Sequence, residues 1–150
     1  MAISQVTCDS YLSELLKGIH AFGTTVVRAG TTADVFKIAL YSSTATLDSS
    51  TTVYSTTDEI SGTGYVAGGE ILTISPAPAV ASNTAFLSFS DAVWTSASFT
   101  AAGALIYNSS QGNKAVAVLS FGSNKTVVNQ PFTIVFPAAD YTNAIIRVGR

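Results

Sequence analysis

Residues 84–121 read TAFLSFSDAVWTSASFTAAGALIYNSSQGNKAVAVLSF, and this stretch decides the fold class. In Thr84–Ser90, Ala85, Leu87 and Phe89 fall on one face, the period-two signature of a strand with one buried side. Ala102–Tyr107 and Ala115–Phe121 are more continuously apolar, as expected of strands covered on both faces. Between those two runs lies Asn108-Ser-Ser-Gln-Gly-Asn-Lys114. Its Asn and Gly residues tolerate positive φ, so the pair reads as a hairpin. Trp94, the single tryptophan, reads as a core anchor beside Phe89 and Phe99.

Working back toward the N-terminus, Tyr11, Leu12, Leu15, Leu16, Ile19 and Phe22 recur at helical spacing. Asp9 or Ser10 can cap this helix, Gly23 supplies a stop, and Gly18 lowers its propensity. Glu14 and Lys17 fall on the opposite face. The apolar stripe has two readings: it closes one end of a sandwich, or it docks on a neighbouring subunit. Thr24–Arg28 and Val35–Tyr41 then read as strands, with Phe36, Ile38 and Leu40 on one face and Lys37 on a partly solvated one. Ser42–Gly64 is mostly Ser, Thr, Asp and Gly, which is long for a structureless connection. A helical turn near Thr51–Tyr54 or an excursion toward a partner accounts for it. Gly62-Thr-Gly-Tyr-Val-Ala-Gly-Gly69 lacks the ending of a phosphate loop and reads as a bend, with Tyr65 as its packing peg.

Glu70–Ser75 reads as a strand whose Leu72 and Ile74 face inward, ended by Pro76 and Pro78. Beyond Phe121, Lys125–Val128, Phe132–Phe136 and Ala144–Val148 complete about nine or ten short strands, with Pro131 and Pro137 bracketing the second. The expected architecture is all-β: a jelly-roll-like antiparallel β-sandwich with one short N-terminal helix. Residues 1–150 are expected to form a single domain, with 1–22 as an arm.

Charged residues are only 11% of the chain, and Ser and Thr make up about a quarter of it. Threonine-rich strands pack well on a pleated sheet, and a weakly charged exterior suits a protein docked to others. The net charge of −2, with basic residues scattered from Lys17 to Arg150, argues against nucleic acid as a partner. No run of eighteen apolar residues is present, so no membrane span is expected. The first residues lack the basic-then-apolar order of a secretory signal, and Cys8 stands alone, so synthesis and folding in a cytoplasm are expected.

Chemistry is scarce. His20 is the only histidine, in the helix and remote in sequence from a Ser–Asp pair, so it reads as a satisfied residue near the helix C-terminus. One His and one Cys do not make a zinc site. The carboxylates outside the helix are Asp34, Asp48, Asp58, Glu59, Glu70, Asp91 and Asp140. Adjacent Asp58 and Glu59 read as solvated, and Asp91 as a turn residue. No catalytic residue, cofactor or metal site is expected, and the chain does not read as an enzyme.

Five segments carry a likeness to known proteins: Phe36–Tyr41, Gly62–Gly69, Phe89–Trp94, Gly103–Asn108 and Lys114–Gly122. Together with Phe132–Pro137 and Ala144–Arg147, they make the chain resemble small structural proteins of tailed bacteriophages. The resemblance covers most of the chain and rests on packing and turn motifs. It implies a virion component, most like a capsid cement or decoration protein bound to major capsid protein on the head surface, as a homo-dimer or trimer. Under this reading, Tyr11, Leu12, Leu15, Leu16, Ile19 and Phe22 form the first candidate clamp and Ser42–Gly64 the second. The alternative is a tail, baseplate or fibre component that contributes to host recognition.

Overall fold

The computed structural model describes residues 2–16, 18–23 and 33–149, save the side chains of Leu12, Ser13 and Leu16. Among them are eight strands and one helix: β1 Val6–Thr7, α1 Asp9–Leu16, β2 Phe36–Tyr41, β3 Glu70–Leu72, β4 Ala79–Ala81, β5 Thr84–Leu87, β6 Ala92–Asn108, β7 Lys114–Ile134 and β8 Ile146–Gly149. They build a five-stranded sheet in the order β1-β7-β6-β2-β3 and a three-stranded sheet in the order β4-β5-β8. Every pairing between these strands is antiparallel. The all-β sandwich with one short N-terminal helix is therefore the architecture of the chain. The strand expected at Thr24–Arg28 lies outside the described residues.

The expected hairpin is present and dominates the fold. Asn108 pairs with Lys114 and Tyr107 with Ala115. Gly112 and Asn113 turn the chain at φ 64° and 57°, conformations that Gly and Asn adopt at least cost. Both strands run much further than the apolar segments suggest. β6 extends back to Ala92 through Trp94 and Phe99, and β7 absorbs both Lys125–Val128 and much of Phe132–Phe136. Pro131 is thus inside β7. A proline, which has no N–H to donate, is tolerated there because it lies at an irregularity in the β6 pairing on an edge stretch of β7. β-Bulges let the two unequal strands stay paired. Phe121-Gly-Ser-Asn124 stands opposite Ala102 alone, and Asn129 sits at φ 51°.

The register puts the core where the apolar residues are. Phe36, Ile38, Ala39, Leu40 and Tyr41 are all buried, so β2 is covered on both faces and Lys37 alone keeps some contact with water. The one-sided reading of this strand is corrected: β2 is central, between β3 and β6. Trp94 is 1% exposed and meets Phe99 edge-on at 6.5 Å and Phe132 at 5.9 Å. Its expected neighbour Phe89 instead packs on Phe136 and Phe36. In β3, Ile71 is exposed and Leu72 buried, as the alternation requires.

The bend at residues 62–69 exists because backbones approach there. A Cβ on Gly69 would lie 1.8 Å from the carbonyl oxygen of Ile38, and one on Gly62 2.5 Å from that of Ser98. Tyr65 fills the space between, with its ring against Trp94 and Phe99.

Candidate docking surfaces

Helix α1 is shorter than its stripe. Gly18 at φ 67° ends it: the Gly18 amide bonds the Leu15 carbonyl and the Ile19 amide the Glu14 carbonyl. This is a Schellman closure with glycine in the left-handed position. The helix stop is therefore Gly18, and Gly23 has no part in it. Ile19, His20 and Phe22 follow outside any helix or strand, and His20 and Phe22 pack on Phe36 of β2.

Of the six stripe residues, Tyr11 and Phe22 are in the core, at 2% and 8% exposure. Leu15 and Ile19 are half-buried, while the side chains of Leu12 and Leu16 lie outside the described set. Phe22 stacks on Phe36, and Tyr11 meets both Phe22 and His20. Tyr11, Leu15 and Phe22 form one wall of an apolar cleft of about 100 Å³, whose other wall is Leu87 and Ile146 with Ala85 and Val148. The row continues onto exposed Val80, which pairs with Ala85, which pairs in turn with Val148.

Under the arm lies a buried polar network. Glu14 receives His20 Nε2 at 2.8 Å and Lys114 Nζ at 2.9 Å. Burial alone would raise the Glu14 carboxyl, but these two donors outweigh it and hold the group below the ordinary carboxylate range. Asn108, fully buried, bonds His20 and Asp34, and Asp34 also accepts from the Ala21 amide and Gln111. His20 is therefore a satisfied histidine, though it lies beyond the helix and its partners are Glu14 of α1 and Asn108 at the end of β6. Nearby Cys8 is buried, with its thiol pushed up to about 11 by burial and by the carboxylates around it.

The Ser42–Gly64 excursion is ordered without a helix. Val53 bridges to Lys114, so the expected helical turn at Thr51–Tyr54 is absent; the chain there is pulled straight against the start of β7. Its organiser is Glu59, which the sequence reading left in solvent. One oxygen accepts from Tyr54 at 2.6 Å, and the other from Tyr65 at 2.6 Å and the Gly68 amide at 2.7 Å. The Tyr54 ring stacks on Tyr107, whose hydroxyl donates to the Gly68 carbonyl. Burial raises all these phenols, and the Glu59 carboxylate adds to the effect. The only advance signal was composition: Tyr54 and Tyr65 flank the lone Glu of a Ser/Thr-rich run. The excursion encloses an open cavity of about 460 Å³ lined by Ser and Thr hydroxyls, Asp48 and Asp58. Hydrogen bonds from Ser50 keep the Asp48 carboxyl low.

The most extended surface is the outer half of the hairpin, which the sequence reading did not single out. β2 pairs with β6 only from Gly103 to Asn108, and β1 with β7 only at Ala117 and Val118. Beyond them, Ala92–Ala101 and Lys125–Ile134 form a two-stranded ribbon; Thr63 bridges to its Ser98, and Tyr65 packs on its Trp94 and Phe99. Trp94, Phe99, Val127 and Phe132 point inward, while Val93, Val128 and Val135 are exposed at 45%, 69% and 72%. Across residues 92–101 and 121–135 the single charge is Lys125. Phe121, Phe132, Ile134 and Val135 line a groove of about 410 Å³ along the β7 edge.

Among the described residues no cluster of His, Cys, Asp or Glu could hold a metal ion, and no helix is long and apolar enough to cross a membrane. Comparison with protein-family models, with curated proteins and with solved structures returned no match.

Proposed function

We propose that the chain is a structural subunit of a tailed-bacteriophage particle, a cement or decoration protein that stabilises the assembled head by binding major capsid protein. The observation that carries this reading is the ribbon. Its inner face joins the core through Trp94 and Phe99, while its outer face is a long, nearly uncharged β-surface with exposed valines. Uncharged apolar and hydroxyl surface of this kind suits permanent docking, because its contacts do not weaken as salt rises. The likeness of the packing motifs to phage structural proteins points the same way. The work is binding rather than turnover: a subunit that prefers the assembled lattice stabilises it by mass action, and many modest contacts add over one shell. In the particle the subunit is a homo-dimer or trimer on the head surface.

The cavity bounded by Asp48 and Asp58 favours a second reading, a tail or fibre component that contacts host glycan, since hydroxyls and carboxylates are the groups that bind sugar hydroxyls.

The test is to add purified chain to particles that lack it and sediment the mixture. The wild type should co-sediment with heads, and a Val93→Lys, Val128→Lys double variant with an unchanged circular dichroism spectrum should not. Equal binding by that variant would remove the ribbon from the contact. Binding to isolated tails alone would favour the second reading.

A further inference from the structure

We propose that Asn108, fixed by Ser110 and Asp34, holds His20 as a neutral imidazole and thereby makes the seating of the N-terminal arm sensitive to acid. The inference concerns the arm's own hold on the sheet and does not rest on what the protein binds.

Asn108 Oδ1 accepts the Ser110 amide at 3.1 Å. That leaves the amide nitrogen to face Asp34 Oδ2 at 2.8 Å and His20 Nδ1 at 3.1 Å. An amide nitrogen only donates, so His20 Nδ1 must present its lone pair, and the ring proton sits on Nε2, aimed at Glu14 Oε2 at 2.8 Å. A second proton, on Nδ1, would set one N–H against another. Rotating the Asn108 amide offers no escape: its oxygen would then meet the Asp34 carboxylate, and its nitrogen the Ser110 N–H.

Among the described residues, few groups face the imidazole. From α1 come Glu14 and the ring of Tyr11, its centroid 5.0 Å away. From the approach to β2 comes Asp34, by way of Asn108, and from the start of β7 comes Lys114, which holds the other oxygen of Glu14. Phe22 and Phe36 close the remaining sides. Glu14 attracts an imidazolium, but it already receives Nε2–H from the neutral ring and shares its charge with Lys114. Against the remaining gain stand an orphaned N–H and a cation in a side-chain site with no solvent exposure. The proton is better accommodated once residues 9–22 lift and His20 meets water. Histidine is the side chain that changes charge between about pH 5 and 8, and this is the only one in the chain.

Two measurements on the full chain decide the matter. Nitrogen-15 spectra of the His20 ring near neutral pH should show the proton on Nε2. Hydrogen exchange, corrected for the intrinsic rate at each pH, should show protection at the Gly18, Ile19 and Ala21 amides, the last bonded to Asp34, falling by about tenfold as pH drops from about 7.5 to 5. Protection at Leu105 and Val118 in the central ladder should hold. In His20→Gln, which keeps a donor for Glu14 but does not titrate, arm protection should be flat across the same interval. A ring proton on Nδ1, constant arm protection in the wild type, or an equal fall in His20→Gln would each overturn the proposal. If His20→Gln does not fold, the two wild-type measurements still decide it.

Discussion

The ring of Phe22 lies almost parallel to that of Phe36, with centroids 4.2 Å apart and planes 9° from each other. This stack fastens the end of the N-terminal arm to the first residue of a central strand, and both partners are buried. Phe22→Ala should therefore cost about 3–5 kcal/mol, the usual range for emptying a buried aromatic site. Urea unfolding checks this. Unchanged stability together with lost particle binding would return Phe22 to the clamp.

By the same logic, deletion of residues 1–22 should unfold the sandwich rather than yield a folded protein that cannot dock. Besides Tyr11 and Phe22, it removes buried Cys8 and the β1 pairing to Val118. Loss of the near-ultraviolet signal from Trp94 reports the outcome. A deleted chain that keeps that signal would show that the arm is separable.

Glu59 should be the most sensitive position in the Ser42–Gly64 excursion. Glu59→Ala leaves two tyrosine hydroxyls and the Gly68 amide without their acceptor, a loss of about 2–4 kcal/mol on the scale of hydrogen bonds to charged groups. Hydrogen exchange should show the loss concentrated at residues 54–69. A loss spread evenly over the chain would contradict the hub.

The same cluster sets an alkaline limit. Burial raises Tyr107 to about 12 and moves Tyr54 and Tyr65 further up, so the folded state keeps these phenols neutral where the unfolded chain ionises them. For raised groups, the stabilisation is complete below the unfolded value of 10.0 and declines as pH climbs through the folded values. Tyrosinate absorbance and far-ultraviolet circular dichroism should therefore change together above about pH 10. Ionisation of these tyrosines well before unfolding would contradict their burial.

Gly69→Ala should prevent β3 from seating. Its Cβ would overlap the Ile38 carbonyl, and its φ of 70° suits glycine. The expected loss is about 2 kcal/mol or more, read by urea unfolding, and wild-type stability would mean that the two backbones can part.

The hairpin and the sandwich were legible because Asn108–Lys114 pairs turn chemistry with continuously apolar runs on either side. The length of β6 and β7 was not, since Pro131, Asn129 and the Phe121–Asn124 bulge read locally as strand ends, and only pairing to a partner strand overrides them. In the arm, helical spacing marked the stripe, but Gly18 ended the helix early, so Phe22 reached the core from beyond the helix. Glu59 and Asn108 were hidden for one reason. Their partners Tyr54, Tyr65, His20 and Asp34 converge through tertiary contacts that leave no periodic trace.

The central claim is that this chain is a docked subunit of a phage head, and imaging intact particles by cryo-electron microscopy tests it most directly. The account predicts density for the sandwich repeated over the head lattice, with the outer ribbon around Val93 and Val128 against the capsid subunits. Density confined to the tail, or a particle without this chain, would contradict it.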